Sequence, residues 1–266
     1  MKRVLYIFLC FLAVSAIAPT SAHAHDKKPA KSREFFELRI YHAKSAEQVN
    51  QIDNYLQQAY LPALRKNGIK AVGVFKQKGI DTAAVKKVYV LIPYKSLDQF
   101  ASLPQKLQKD KTYEEAGKEY INAVYTQPPY TRYETILLRS FELMPFAEAS
   151  KTTGPKSDRV YELRSYEGHT EKIYQNKVHM FNQGGEIALF KRLGFNAVFY
   201  GEVVAGSRMP NLMYMTSFEN MEARNAHWKA FSNDPEWKKL SSMPEYQHNV
   251  SKGDTWFLTP TEYSDL

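Results

Sequence analysis

The chain has 266 residues, 44% of them hydrophobic, with 36 lysines and arginines against 28 aspartates and glutamates and a single cysteine. One cysteine excludes a disulfide framework and a cysteine-ligated zinc site. The mild basic excess is scattered and lacks the arginine-rich stripe of a nucleic-acid binder, so no nucleic-acid partner is expected and stability must come from apolar cores alone.

Met1 to Ala24 reads as a cleavable signal peptide: Lys2 and Arg3 make a basic start, Val4 to Ala18 an apolar core, and Ala22-His23-Ala24 a small-x-small cleavage site. The apolar run is shorter than the roughly 18 residues of a membrane span. The expectation is an exported chain, periplasmic or extracellular, with no stable membrane span. Cys10 lies inside that segment, so the expected mature chain has no thiol nucleophile. Residues 25–33 are polar and unpatterned, a flexible lead-in.

Phe35 to Tyr41 alternates, with Phe36, Leu38 and Ile40 on one face and Glu37, Arg39 and Tyr41 on the other, as a half-buried strand does. Ser45 and Gln48 have capping-box spacing, and a helical pattern runs on through Ile52, Tyr55 and Ala59 until Asn67-Gly68 stops it, with Pro62 predicting a kink. Residues 70–77 and 87–94 predict a hairpin, Ser96 caps a helix interrupted by Pro104, and residues 112–125 have helical spacing again. A fourth strand follows at Tyr133 to Phe141.

Residues 144–158, with Pro145, Gly154 and Pro155, read as a linker. The strand opening then recurs: Glu162-Leu163-Arg164-Ser165-Tyr166 repeats Glu37-Leu38-Arg39-Ile40-Tyr41. After it come a long helix over residues 171–193, hairpin strands at 196–203 and 211–218, a helix capped by Asn220, a turn begun by Asp234-Pro235, and a last strand at 254–260. The order in each half is β-α-β-β-α-β. The predicted fold class is therefore α+β: two tandem ferredoxin-like domains, residues 34–143 and 159–266, whose antiparallel sheets pair face to face as an α/β-barrel within one chain because each leaves one face to be covered.

The chain resembles the NIPSNAP family, within the dimeric α/β-barrel superfamily. The residues that carry the resemblance are the two Glu-Leu-Arg-x-Tyr openings, Leu64-Arg65-Lys66-Asn67-Gly68, and Trp228-Lys229-Ala230-Phe231-Ser232-Asn233-Asp234-Pro235-Glu236-Trp237. The first half departs from the last of these, with Lys109-Asp110-Lys111-Thr112-Tyr113 and no tryptophan. The resemblance implies paired sheets and no particular activity, since related barrels include monooxygenases, haem-degrading enzymes and plain ligand binders.

Candidate ligand-binding residues follow from these patterns. Arg39, Tyr41, Arg164 and Tyr166 are expected to face the space between the sheets, where an arginine needs a carboxylate, either its neighbouring glutamate or an anionic ligand. His227 and Trp228 share a helix, and a histidine beside a wide barrel is a candidate haem ligand or general base. Elsewhere no metal constellation, nucleophile elbow or phosphate-binding loop is present in the sequence. The sequence thus points to binding of a small molecule or protein partner, with a haem-binding or other barrel monooxygenase as the alternative and homo-oligomerisation left open. No catalytic residue and no cofactor other than that haem is indicated.

Overall fold

The computed structural model describes residues 32–266. The expected signal peptide and nearly all of the lead-in lie outside those residues. In the first half, β1 (Phe35–Ala43) leads to α1 (Ala46–Tyr55), a π-helical turn (Leu56–Tyr60) and α2 (Leu61–Lys66). Ser45 accepts from the Gln48 backbone N–H at 3.3 Å while Gln48 Oε1 accepts from the Lys44 N–H at 2.8 Å, a reciprocal cap in which the side chain reaches one residue before the N-cap. Gly68, at φ +74°, terminates α2. The hairpin β2 (Gly73–Gln77) and β3 (Lys86–Tyr94), helices α3 (Leu97–Leu107), α4 (Lys111–Ala116) and α5 (Lys118–Ile121), and β4 (Arg132–Ser140) complete this half.

The second half runs β5 (Val160–Glu167), α6 (Glu171–Asn182), α7 (Glu186–Arg192), β6 (Asn196–Ala205), β7 (Asn211–Phe218), α8 (Met221–Asn233), α9 (Pro235–Ser242) and β8 (Lys252–Pro260). The single helix predicted over 171–193 is two. Gly184 sits where a Cβ would lie 2.6 Å from the Met180 carbonyl oxygen, and Gly185 adopts φ +95°, which an L-residue resists, so the chain breaks and restarts there.

The eight strands form one closed antiparallel barrel in the order β1-β3-β2-β8-β5-β7-β6-β4. Each half contributes four neighbouring strands. The expected barrel made by both sheets within one chain is closed at its seams: β2 pairs with β8 and β4 with β6, so the halves are hydrogen-bonded edge to edge and, among the described residues, no sheet edge is left open.

Three layers of core result. The barrel interior draws on all eight strands and no helix, through Phe36, Leu38, Phe75, Leu91, Leu138, Leu163, Phe199, Met215 and Leu258 among others. Outside it, helix side chains of the first half pack on Tyr41, Val74, Val90 and Tyr94, and those of the second half on Tyr200, Leu212, Tyr214 and Phe218.

Candidate functional site

The two outer layers hold the predicted residues, on the opposite side of the sheet from that expected. Phe36 and Leu38 point into the barrel, whereas Glu37, Arg39 and Tyr41 lie beneath the helices. The same inversion places Leu163 inside the barrel and Glu162, Arg164 and Tyr166 under α8 and α6. The physical reason is that an eight-stranded barrel has an interior just wide enough to be filled by side chains, and the Phe/Leu triplet fills it. A space of about 50 Å³ remains at one end, bordered by Ile40, Tyr89, Leu163 and Trp256, small beside the cavity under the first-half helices.

In the second half the outer layer is closed by its own side chains. Glu162, fully buried, accepts four hydrogen bonds: from Arg164 Nε at 2.8 Å and Arg224 Nη2 at 2.9 Å on Oε1, and from Arg224 Nε at 2.8 Å and Trp228 Nε1 at 2.7 Å on Oε2. The Trp228 ring lies 4.1 Å from the Arg164 guanidinium carbon. Arg164 Nη1 donates to the Tyr166 hydroxyl at 2.7 Å, which pairs with Tyr214 at 3.0 Å. Every strong group has a partner, as a buried charge cluster requires.

The first half has the same strand framework and a different lid. Glu37 accepts three bonds: from Arg39 Nε at 2.8 Å, Thr135 Oγ1 at 3.0 Å and the Tyr94 hydroxyl at 2.9 Å. Counting from the helix caps, Ser96 for α3 and Asn220 for α8, Phe100 stands where the other half has Arg224, and Pro104 where it has Trp228. Neither can donate a hydrogen bond from its side chain, and proline fills far less space than tryptophan. Beside them opens a cavity of about 590 Å³, floored by Glu37, Arg39 and Thr135 and walled by Tyr55, Tyr60, Tyr94, Phe100, Leu103 and Tyr113.

The π-helical turn shapes this wall. It brings Tyr55 and Tyr60, five residues apart, onto the sheet side of the helix with their rings stacked at 5.5 Å. Tyr55 is held further by Tyr120, stacked at 3.7 Å, and by the Tyr113 hydroxyl at 2.8 Å. Tyr60 is buried, lines the cavity, and its hydroxyl has no hydrogen-bond partner among the described residues. Arg39 has only a long 3.4 Å contact from Nη1 to Tyr41 besides its bond to Glu37, with the Tyr60 and Tyr133 rings 5.1 and 5.2 Å from its guanidinium carbon.

Burial pushes the Tyr55, Tyr60 and Tyr94 phenols well above the usual tyrosine range, so these hydroxyls are neutral donors at neutral pH. Burial works against the charge on Arg39, but Tyr60, Tyr41 and Glu37 outweigh it and keep its pKa raised. The cavity therefore offers the Tyr60 hydroxyl as a hydrogen-bond donor between flat apolar walls, with the charge of Arg39 already balanced by Glu37.

The predicted residues thus separate into three places. Arg39 lines the cavity and Tyr41 lies fully buried behind it. Arg164, Tyr166 and Trp228 form the closed cluster. His227 belongs to neither: its Nδ1 is 2.9 Å from the Leu193 carbonyl, and its ring packs between Phe195 and Phe218. That setting does not fit an axial haem ligand, because the ring borders neither the 590 Å³ cavity nor a second groove of about 300 Å³ beside Leu143, Ile187 and Tyr200. Among the described residues no group of three potential metal ligands occurs, and no helix is long and apolar enough to cross a membrane.

Sequence reasoning missed Tyr60, Tyr94, Tyr133 and Thr135. The available signal was the tyrosine-rich helix face itself, since buried hydroxyls call for a polar sheet face opposite them.

The fold is shared with solved structures. A candidate monooxygenase from Lactobacillus acidophilus NCFM superposes at a TM-score of 0.55 over 86% of this chain and 94% of that one, with 12% identity. A candidate monooxygenase from Fusobacterium nucleatum gives 0.55 over 86% and 93%, with 7% identity, and an anthrone oxidase-like protein 0.51 over 87% and 93%, with 9% identity. At these identities the likeness is one of fold. No curated protein matches the chain in sequence. The NIPSNAP family model matches residues 161–265, from β5 through β8, and with them the Trp228 to Trp237 segment. The likeness to the NIPSNAP family is thus carried by the second half of the chain.

Proposed function

We propose that the protein binds a small, flat, largely apolar molecule in the 590 Å³ cavity between the helices and the sheet of its first half. The observation that carries this reading is the Tyr60 hydroxyl, which faces the cavity without a protein partner among the described residues and is set in an aromatic wall beside Arg39. A pocket lined by aromatic rings with one or two convergent polar groups is the usual form of a small-molecule site, and the hydroxyl supplies such a group. In this reading the chain is exported, its two halves are ferredoxin-like units of common design, and the second is the structural partner that closes the barrel.

A second reading, a haem-independent monooxygenase acting on the molecule held in the same cavity, is supported by the Tyr94–Glu37 hydrogen bond, which sets a proton donor against a proton acceptor at the cavity wall. Two of the fold neighbours are candidate monooxygenases, which makes the reaction class worth assaying.

The test is a titration with 2-naphthol followed by amide chemical shifts. Saturable shifts centred on Leu103, Leu107 and Tyr113 are expected. Shifts confined to the groove near Leu143 and Ile187, or none at millimolar probe, would contradict the assignment. Oxygen uptake dependent on the bound probe would decide for the second reading.

A further inference from the structure

We infer that the second half carries, in Trp228, a built-in stand-in for the first half's ligand, and that this ligand is a planar heteroaromatic molecule whose ring N–H donates to Glu37. The inference rests on the cavity reading above and names what the cavity selects.

A carboxylate offers about four acceptor positions. Glu162 uses four. On Oε1 it receives Arg164 and Arg224, and on Oε2 Arg224 and Trp228. Glu37 uses three. Arg39 holds the place of Arg164 and Thr135 adds a second bond on Oε1, while Oε2 receives Tyr94 alone where Glu162 Oε2 receives two donors. Oε2 of Glu37 thus lacks one donor, and the helix position that supplies the Trp228 indole N–H in the other half is held here by Pro104.

Space and charge agree with that assignment. Pro104 stands eight residues after its cap, as Trp228 does, and both Pro104 and Glu37 line the same cavity. The Tyr60 and Tyr133 rings already flank Arg39 at 5.1 and 5.2 Å, so the ring contact that Trp228 makes to Arg164 is supplied by the protein. The ligand is then distinguished by its donor to Glu37 rather than by a contact with the arginine. A carboxylate ligand fits less well. Glu37 balances Arg39, Glu114 adds a negative charge to the lining, and the extra cation that Arg224 gives the second half is replaced by Phe100.

Calorimetric titration of the full chain with indole, 1-methylindole and 2-naphthoate tests this. Indole is expected to bind at one site per chain, with 1-methylindole about tenfold weaker or more for the lost hydrogen bond. Pro104→Trp, which places an indole in the cavity covalently, is expected to abolish indole binding and raise the melting temperature, showing that the variant is folded. Equal binding of indole and 1-methylindole, or tightest binding of 2-naphthoate, would overturn the inference while leaving the cavity reading standing. Binding of none of the three would overturn both. Undiminished indole binding by a folded Pro104→Trp would place the site elsewhere.

Discussion

Trp228 both covers Arg164, 4.1 Å from ring centre to guanidinium carbon, and donates its indole N–H to Glu162, the carboxylate that holds that arginine. One side chain thereby completes the desolvation of an ion pair and satisfies it. Two arginines and a tryptophan converge on Glu162, which is fully buried. Glu162→Ala would leave both guanidinium groups without their carboxylate, at a cost of about 3–5 kcal/mol. Urea denaturation should show the midpoint falling by that equivalent, with Glu162→Gln losing less because it keeps the acceptor oxygen. A loss below about 1 kcal/mol for the alanine variant would mean that the cluster is solvated.

The tyrosines of the first half set an upper pH limit. Burial holds the phenols of Tyr55, Tyr60, Tyr94 and Tyr120 above their range in the unfolded chain. An acid whose folded pKa is raised binds its proton more tightly when folded. Its contribution to stability is therefore complete below the unfolded value near ~10, and is lost as pH climbs beyond it. Ultraviolet titration should show the exposed tyrosines ionising first, and the remaining absorbance change arriving in a cooperative step that coincides with loss of far-ultraviolet circular dichroism. Smooth, reversible ionisation of every tyrosine in the folded protein would contradict the burial of this cluster.

Gly184 and Gly185 make the break between α6 and α7 for different reasons. Gly185→Ala would force an L-residue to φ +95° in open space, costing about 1–2 kcal/mol. Gly184→Ala would drive a Cβ to within 2.6 Å of backbone and should cost more. The break also positions the buried Lys177–Glu186 pair, 2.8 Å across it. Thermal melts of the two variants should rank in that order, and the reverse order would show that the backbone can shift at Gly184.

Barrel closure makes the halves interdependent. Separate chains covering residues 31–150 and 157–266 would expose β2 and β4 on one side and β6 and β8 on the other, now paired as β2–β8 and β4–β6. Each fragment is expected to aggregate or self-associate alone and to form a soluble pair when co-expressed. Two fragments that remain monomeric and unfold cooperatively would contradict this.

Much of this architecture is legible in the sequence. The repeated Glu-Leu-Arg-x-Tyr openings, the Ser45, Ser96 and Asn220 caps and the two hairpins all correspond to observed elements, whereas the break at Gly184-Gly185 splits a helix that the periodicity runs together. The facing of β1 and β5 was not legible, because both faces of a strand in a helix-covered barrel are buried and alternation tells the faces apart without saying which side each meets. Phe36 and Leu38 look like the helix side by apolarity, yet the barrel interior is the drier of the two. Nor does Pro104 announce a site: in sequence it is a helix irregularity, and its meaning appears only when α3 is laid beside α8 and Trp228 is found in its place.

The central claim is that two like frameworks differ by whether a tryptophan fills the space over the sheet. The stoichiometry of indole binding to Trp228→Ala tests it most directly, since this truncation should open in the second half a space like that beside Pro104. Calorimetry is expected to give one site per chain for the parent and two for Trp228→Ala, with indole raising the melting temperature of the variant more than that of the parent. One site in both proteins, or two in the parent, would contradict the account.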